Sequence, residues 1–186
     1  MGNRDFSIED RKKQFTVLAK EFGIKDSEID YLIDTLEDMD FFTAPASTKY
    51  HGNYPGGLFD HSFAVTKSLQ SLTQRLELNW VRPASPFYVG MLHDLCKCDQ
   101  YVQQEDGSYK FSDDIILPGH GDKSVIYAQN IMSVLTEEEI MCIRWHMGAY
   151  ETDTKMWNYY GRAIEHYPNV LWTHTADMYA SRIVGI

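Results

Sequence analysis

Apolar positions recur at spacings of three and four along most of the chain, the period of helices that bury one face. Ser7 precedes an apolar stripe of Phe15, Leu18 and Phe22, and Gly23 follows it, which predicts a capped helix running to about Glu21. Asp26 or Ser27 opens a second helix, striped by Ile29, Leu32, Ile33 and Leu36. From 43 to 57 the period fails, and Pro45, Gly52, Pro55, Gly56 and Gly57 predict a loop. A long helix follows from about Leu58 to Leu78, with Leu58, Val65, Leu69, Leu72 and Leu76 on one face; His61 shares that face and should point inward. Another is predicted over about Ser85 to Cys98. Tyr101-Val102 and Tyr109-Lys110-Phe111 flank Asp106-Gly107, a hairpin turn signal. Helices resume at about Gly121–Val134 and Thr136–Met147, the latter with Thr136 and Glu139 as a capping box and Glu137-Glu138-Glu139 complementing the helix dipole. After a Gly/Asp/Thr-rich break at 148–156 come a helix at Trp157–Glu165 and a last one from about Pro168, striped by Val170, Thr173, Asp177, Ala180 and Val184. The expected fold is all-α: a compact helical bundle with one short β-hairpin near 101–111, in a single domain spanning 1–186.

Composition narrows the function. Hydrophobic residues at 44% and charged ones at 24% fit an ordinary folded chain. The 17 Lys and Arg against 27 Asp and Glu give a net charge of −10, which argues against a partner such as long nucleic acid. A small phosphate ester is not disfavoured, because bound metal ions supply positive charge locally. No apolar run spans a bilayer and the first residues carry no apolar signal core, so a cytoplasmic protein is expected; Gly2 only partly matches an acylation motif. Cys96, Cys98 and Cys142 suit neither a disulfide framework nor a zinc finger and read as reduced, mostly buried thiols.

Candidate chemistry lies in the histidines. His61, His93, His120 and His146 fall at the ends or inward faces of separate helices, and Asp94 and Asp177 are placed similarly. A lone inward histidine is usually a satisfied core residue. Six such groups together are costly to bury unless they pair or hold metal. Imidazole with carboxylate suits a divalent ion of the Mn, Fe, Ni, Co or Zn type, with Mg as a further option. Such an ion acidifies bound water and polarises a phosphoryl oxygen.

The order His61, His93-Asp94, Asp177 resembles the H…HD…D signature of the HD-domain superfamily of metal-dependent phosphohydrolases. Gly56-Gly57-Leu58-Phe59-Asp60-His61-Ser62 is similar to the GGLxxHS/T entry to that family's first ligand helix. Met91-Leu92-His93-Asp94-Leu95-Cys96-Lys97 is similar to its LHDIGK segment, with Cys96 where glycine is usual, and His174-Thr175-Ala176-Asp177 resembles its closing HxxD. The likeness covers about 49–183 and implies a helical bundle in which His61, His93, Asp94 and Asp177 hold one metal ion. By the same analogy His120 and His146 complete a second site with Asp94 as the bridge; in single-metal members comparable residues hold substrate. Lys97 is expected as a phosphate contact, or else as a helix-end lysine reaching solvent. Lys49 and His51 could touch substrate or simply form a solvated loop. His174 is expected to orient Asp177, and His166 to lie on the surface. The aromatic residues Trp145, Tyr150, Trp157, Tyr159, Tyr160 and Tyr179 suit packing better than base stacking.

The implied activity is metal-dependent hydrolysis of a phosphate mono- or diester of a small, nucleotide-like substrate, with Asp94 and Lys97 at the reacting group. Two alternatives stand beside it: a 3′→5′ exoribonuclease or other nuclease, and a non-catalytic metal- and nucleotide-binding signalling domain.

Overall fold

A computed structural model describes residues 6–148 and 154–186. Gly2, Tyr150 and most of the predicted break at 148–156 lie outside the described residues. The helices are α1 (Ile8–Glu21), α2 (Asp26–Asp38), α3 (Gly57–Leu76), α4 (Ser85–Leu92), α5 (Gly121–Ile131), α6 (Glu137–Arg144), α7 (Trp157–His166) and α8 (Asn169–Tyr179). The sheet among the described residues is a ribbon of β1 (Tyr101–Gln103) and β2 (Tyr109–Phe111), antiparallel with Tyr101 opposite Phe111. Fold class is therefore as expected. No helix among the described residues is long and apolar enough to cross a membrane.

Local signals act as the sequence predicts at several ends. Ser7 caps α1 in a reciprocal box with Asp10, and Thr136 does the same for α6 with Glu139. Helix α2 opens at Asp26, as expected, with Lys25 at the cap position making no side-chain cap bond.

Helix α3 packs on α4 and α8, α6 packs on α4, α5 and α8, and α1 packs on α2 and α3. Two apolar clusters result. One gathers Phe15, Leu36, Phe41, Phe42, Phe59 and Phe87 from α1–α4 and the loop after α2. The other joins Val65, Leu69, Val89, Cys142, Val170 and Ala176 from α3, α4, α6 and α8. His61 lies between the α3 residues that serve the first cluster (Leu58, Phe59) and those that serve the second (Val65, Leu69). A polar cluster thus sits at a seam of the core.

Two buried ionic devices fix the helices around that seam. Arg11 of α1 donates to both oxygens of Asp60, at 2.9 and 3.2 Å, one residue before His61. The second corrects the dipole-only reading of Glu137-Glu138-Glu139. Glu139 is fully buried and accepts from Arg82 (2.7 and 2.8 Å), Ser85 Oγ (2.7 Å) and the Thr136 N–H (2.9 Å). Glu138, also buried, accepts from the Val81 N–H (2.7 Å) and from Asn169 Nδ2 (2.9 Å). These carboxylates tie α6 to the start of α4 and the start of α8. They are the helices leading to His146, His93 and Asp177.

The predicted helix over 85–98 is interrupted. Its α-helical part stops at Leu92, and Leu95–Cys98 forms a 3₁₀ turn after Asp94, whose φ is −113°. In a continuous helix residues 93 and 94 would project about 100° apart. The break lets both side chains face one point. The last predicted helix also changes character: α8 ends at Tyr179 and a π-helical turn, Ala180–Val184, follows.

Candidate metal centre

Each of three histidines is held on one ring nitrogen by a main-chain oxygen. His61 Nδ1 lies 2.9 Å from the Ile186 oxygen, His93 Nδ1 2.9 Å from Gly90 O, and His146 Nδ1 2.7 Å from Ile143 O. Those oxygens can only accept, which assigns a proton to Nδ1 and leaves Nε2 of each ring to face the site. The three imidazoles are buried at 0, 0 and 1% exposure, so bulk water does not reach those Nε2 atoms.

Their Nε2 atoms converge. His61 Nε2 is 3.2 Å from His93 Nε2 and 3.2 Å from Asp177 Oδ1. His61 and His93 stand 3.6 and 3.4 Å from Asp94 Oδ2. On the other carboxylate oxygen, Asp94 Oδ1, His146 Nε2 stands at 3.4 Å and His120 Nδ1 at 4.0 Å. Groups this close need a shared proton or a metal ion between them, and among the described residues His146 Nε2 has no hydrogen-bond partner. The donor set therefore fits divalent metal. His61, His93 and Asp177 could hold one ion, and Asp94, Cys96 and His120 another. Asp94 faces both groups, one oxygen to each.

Ionisation follows the same geometry. Burial opposes charge on Asp94, but Lys97, then His93, outweigh it and hold the carboxyl well below its usual range. Lys97 Nζ lies 2.5 Å from Asp94 Oδ2; despite burial, Asp94 raises its pKa and keeps it cationic. The surface-lysine reading of Lys97 is thereby excluded, because only 8% of the residue is exposed. Asp177 behaves like Asp94: burial is overcome by His61. It sits at the C-terminal end of α8, where a carboxylate opposes the helix dipole, so its place there needs compensation from the facing imidazoles or a cation. His51, from the 43–57 loop, packs its ring 5.1 Å from that of His61; burial, then His61 and Lys97, lower its pKa to about 4. The solvated-loop reading of His51 fails. Lys49 is exposed, and among the described residues no hydrogen bond or ion pair joins it to the cluster.

His174 places Nδ1 2.8 Å from the His146 main-chain oxygen, so it braces the turn that follows α6. His166 is exposed, as expected. Of the aromatics, Trp145 is buried, with its ring 6.0 Å from that of Tyr160. Trp157, Tyr159 and Tyr179 are exposed. A cavity of about 800 Å³ between α5, α6 and α7, lined by Met141, Arg144, Trp145 and Tyr159, contains none of the ligand atoms. A smaller one, about 240 Å³, opens directly beside His120, with Gln100, Pro118 and Lys123 in its wall. Smaller though it is, this second opening adjoins the chemistry.

The sequence did not reveal the three main-chain oxygens, which carry no residue signal, nor Cys96. The Cys96 thiol is fully buried, 3.3 Å from His120 Nδ1 and 3.9 Å from Asp94 Oδ1. Burial, then Asp94, push it up to about 12.

Over 73 residues, 38% of this chain, the sequence is 34% identical to a dihydroneopterin 2′,3′-cyclic phosphate phosphodiesterase of Methanocaldococcus jannaschii. The chain spans 29% of the length of that curated relative. It is thus a distant relative of a phosphodiesterase. No family model matches the chain. No solved structure matches it.

Proposed function

We propose that this chain, as one domain, is an HD-type metal-dependent phosphohydrolase acting on a small phosphodiester, with a cyclic phosphate of a nucleotide-like molecule as the leading substrate class. The observation that carries the reading is the convergence of three Nδ1-anchored histidines and two ionised aspartates on one buried point. The relative's activity on a cyclic phosphate supports the diester over the monoester. Net acidity, −10 over the chain, favours a small substrate over a long RNA.

His61, His93, Asp94 and Asp177 would hold the first ion, and Asp94, His120 and His146 a second. When bound, such ions supply acidified water and a Lewis acid for the phosphoryl oxygens. Asp94 keeps its negative charge at neutral pH and, with one oxygen on each side, holds the two ligand groups in register. Lys97 keeps its proton beside Asp94 and gives fixed positive charge for an equatorial phosphoryl oxygen. His51, kept neutral next to His61, can donate or accept one hydrogen bond to substrate without adding charge. The helix start at Gly56-Gly57 holds the 43–57 loop against the site: Leu58 N–H donates to Ala44 O and Ala46 N–H to Gly52 O.

The test is turnover by chelator-stripped protein reloaded singly with Mn, Fe, Co, Ni or Zn, on 2′,3′-cyclic nucleotides, linear dinucleotides, mononucleotides and a short oligoribonucleotide. Metal-dependent opening of the cyclic diester is expected. His93→Ala and Asp94→Ala should each lose bound metal and at least about 100-fold in kcat/KM, the upper range for disturbing even an outer partner of a metal ligand. Undiminished turnover in a metal-free variant sinks the reading. Preference for the oligoribonucleotide would move it to the nuclease alternative.

A further inference from the structure

The position after His93-Asp94-Leu95 is the chain's most direct departure from the pattern it resembles, and the fold gives that departure a use. Cys96 begins no helix turn of its own; its N–H is fixed by Ser124 Oγ of α5 at 3.1 Å, which turns the side chain toward the start of that helix. There His120 occupies the cap position of α5. Close packing keeps it there: a Cβ on Gly121 would come within 2.0 Å of the Arg144 main-chain oxygen, so the first residue of α5 lies directly on the end of α6, beside His146.

The outcome is a triangle of Cys96 Sγ, His120 Nδ1 and Asp94 Oδ1 with edges of 3.3, 3.9 and 4.0 Å. Metal–ligand bonds of about 2.0–2.3 Å at tetrahedral angles give edges of about 3.3–3.6 Å, so small side-chain movements seat an ion among the three. An independent feature points to the same place. His146 Nε2, 1% exposed and without a hydrogen-bond partner among the described residues, faces Asp94 Oδ1 at 3.4 Å. Three donors of three chemical kinds thus form the triangle, and His146 Nε2 lies against the Asp94 oxygen at one of its corners.

We propose that Cys96 is a thiolate ligand of the second ion, completing with Asp94, His120 and His146 a mixed sulfur, nitrogen and oxygen site. This rests on the metal-dependent reading above and adds to it the identity of a ligand and a preference among metals. As the sulfur–metal bond forms, the S–H proton passes to solvent, so each second ion bound releases a proton from this residue. A thiolate selects zinc, cobalt(II) or iron(II) and works against magnesium and manganese at that position.

Cobalt(II) added to metal-stripped protein tests this without recourse to turnover. With two ions bound, the wild type is expected to show a near-ultraviolet thiolate-to-cobalt charge-transfer band and, by X-ray absorption, a sulfur scatterer at about 2.3 Å. Cys96→Ser should abolish the band, weaken the second ion by roughly tenfold or more, leave the first ion in place, and raise the relative affinity for manganese. His120→Ala should weaken the second ion likewise, whereas Cys142→Ser should change neither band nor stoichiometry. Two cobalt ions bound with no charge-transfer band and no sulfur scatterer overturn the thiolate ligand and leave the phosphohydrolase reading standing. No cobalt bound at all overturns both. The absorption experiment uses wild-type protein, so the outcome stands even if Cys96→Ser does not fold.

Discussion

Three consecutive glutamates at the start of α6 carry a graded expectation. If Glu137, Glu138 and Glu139 acted only through the helix dipole, replacing each by alanine would cost about 0.3–1 kcal/mol, nearly equally. The tertiary contacts predict otherwise. Glu137 is exposed, and its removal should stay within about 0.5 kcal/mol. Glu138→Ala strips the acceptor from the Val81 N–H and from Asn169, at about 1–3 kcal/mol. Glu139→Ala loses both Arg82 bonds, Ser85 Oγ and the capping N–H of Thr136. Removing one partner of a buried pair costs about 3–5 kcal/mol. The Arg82 side chain is 32% exposed and can turn to water, which places Glu139→Ala at the lower end, about 3–4 kcal/mol. With an unfolding entropy of about 2.1 cal/mol/K per residue, 186 residues give about 0.39 kcal/mol/K, hence a fall in Tm of about 8–10 °C. Urea titration of metal-free protein, followed by far-ultraviolet circular dichroism, measures all three variants on one scale. Equal losses in the three, or Glu139→Ala within 1 kcal/mol of wild type, would refute the reasoning.

Two further expectations concern the site. Gly90 lets α3 and α4 approach: a Cβ there would stand 2.3 Å from Thr66 Oγ1 and 2.7 Å from Thr66 Cα. Gly90→Ala should therefore cost about 1–3 kcal/mol and weaken the first ion by separating His61 from His93; a net gain of about 1 kcal/mol, as helix propensity alone gives, would contradict it. His51 protonates at about 4 in the folded protein but at 6.5 when unfolded, so the unfolded chain binds the extra proton first. Metal-free protein should lose stability as pH falls from about 6.5 to about 4, and His51→Asn should lessen that loss; unchanged urea midpoints at pH 7 and 4.5 in both proteins would exclude the effect.

The helices were legible because burial imposes a local rule. Phe15, Leu18, Ile29, Leu32, Leu36, Val65 and Leu69 recur at 3.6-residue spacing, and each is fully or almost fully buried. Ser7, Thr136 and Asp106-Gly107 mark ends and a turn through bonds within a few residues, so the sequence determines them without knowledge of the fold. Two things could not be read this way. The break at His93-Asp94 leaves no mark in hydrophobic period, since the residues on both sides are buried. Glu138 and Glu139 look like any solvated helix start until Val81, Arg82, Ser85 and Asn169 arrive from 31 to 57 residues away.

The site divides along the same line. His61, His93, Asp94, His120, His146 and Asp177 could be singled out along the chain, because residue type and inward position are local properties. What tertiary structure decided is which atoms those residues offer. Main-chain oxygens of Ile186, Gly90 and Ile143 turn three imidazoles so that Nε2 faces inward, and no side-chain pattern encodes a carbonyl's direction. The place of Cys96 was decided in the same way: alone it is one buried thiol among three, and only the seating of α5 on the 3₁₀ turn and the end of α6 sets it 3.3 Å from His120. Residue chemistry is written along the chain; the direction in which each donor points is a property of the packed whole.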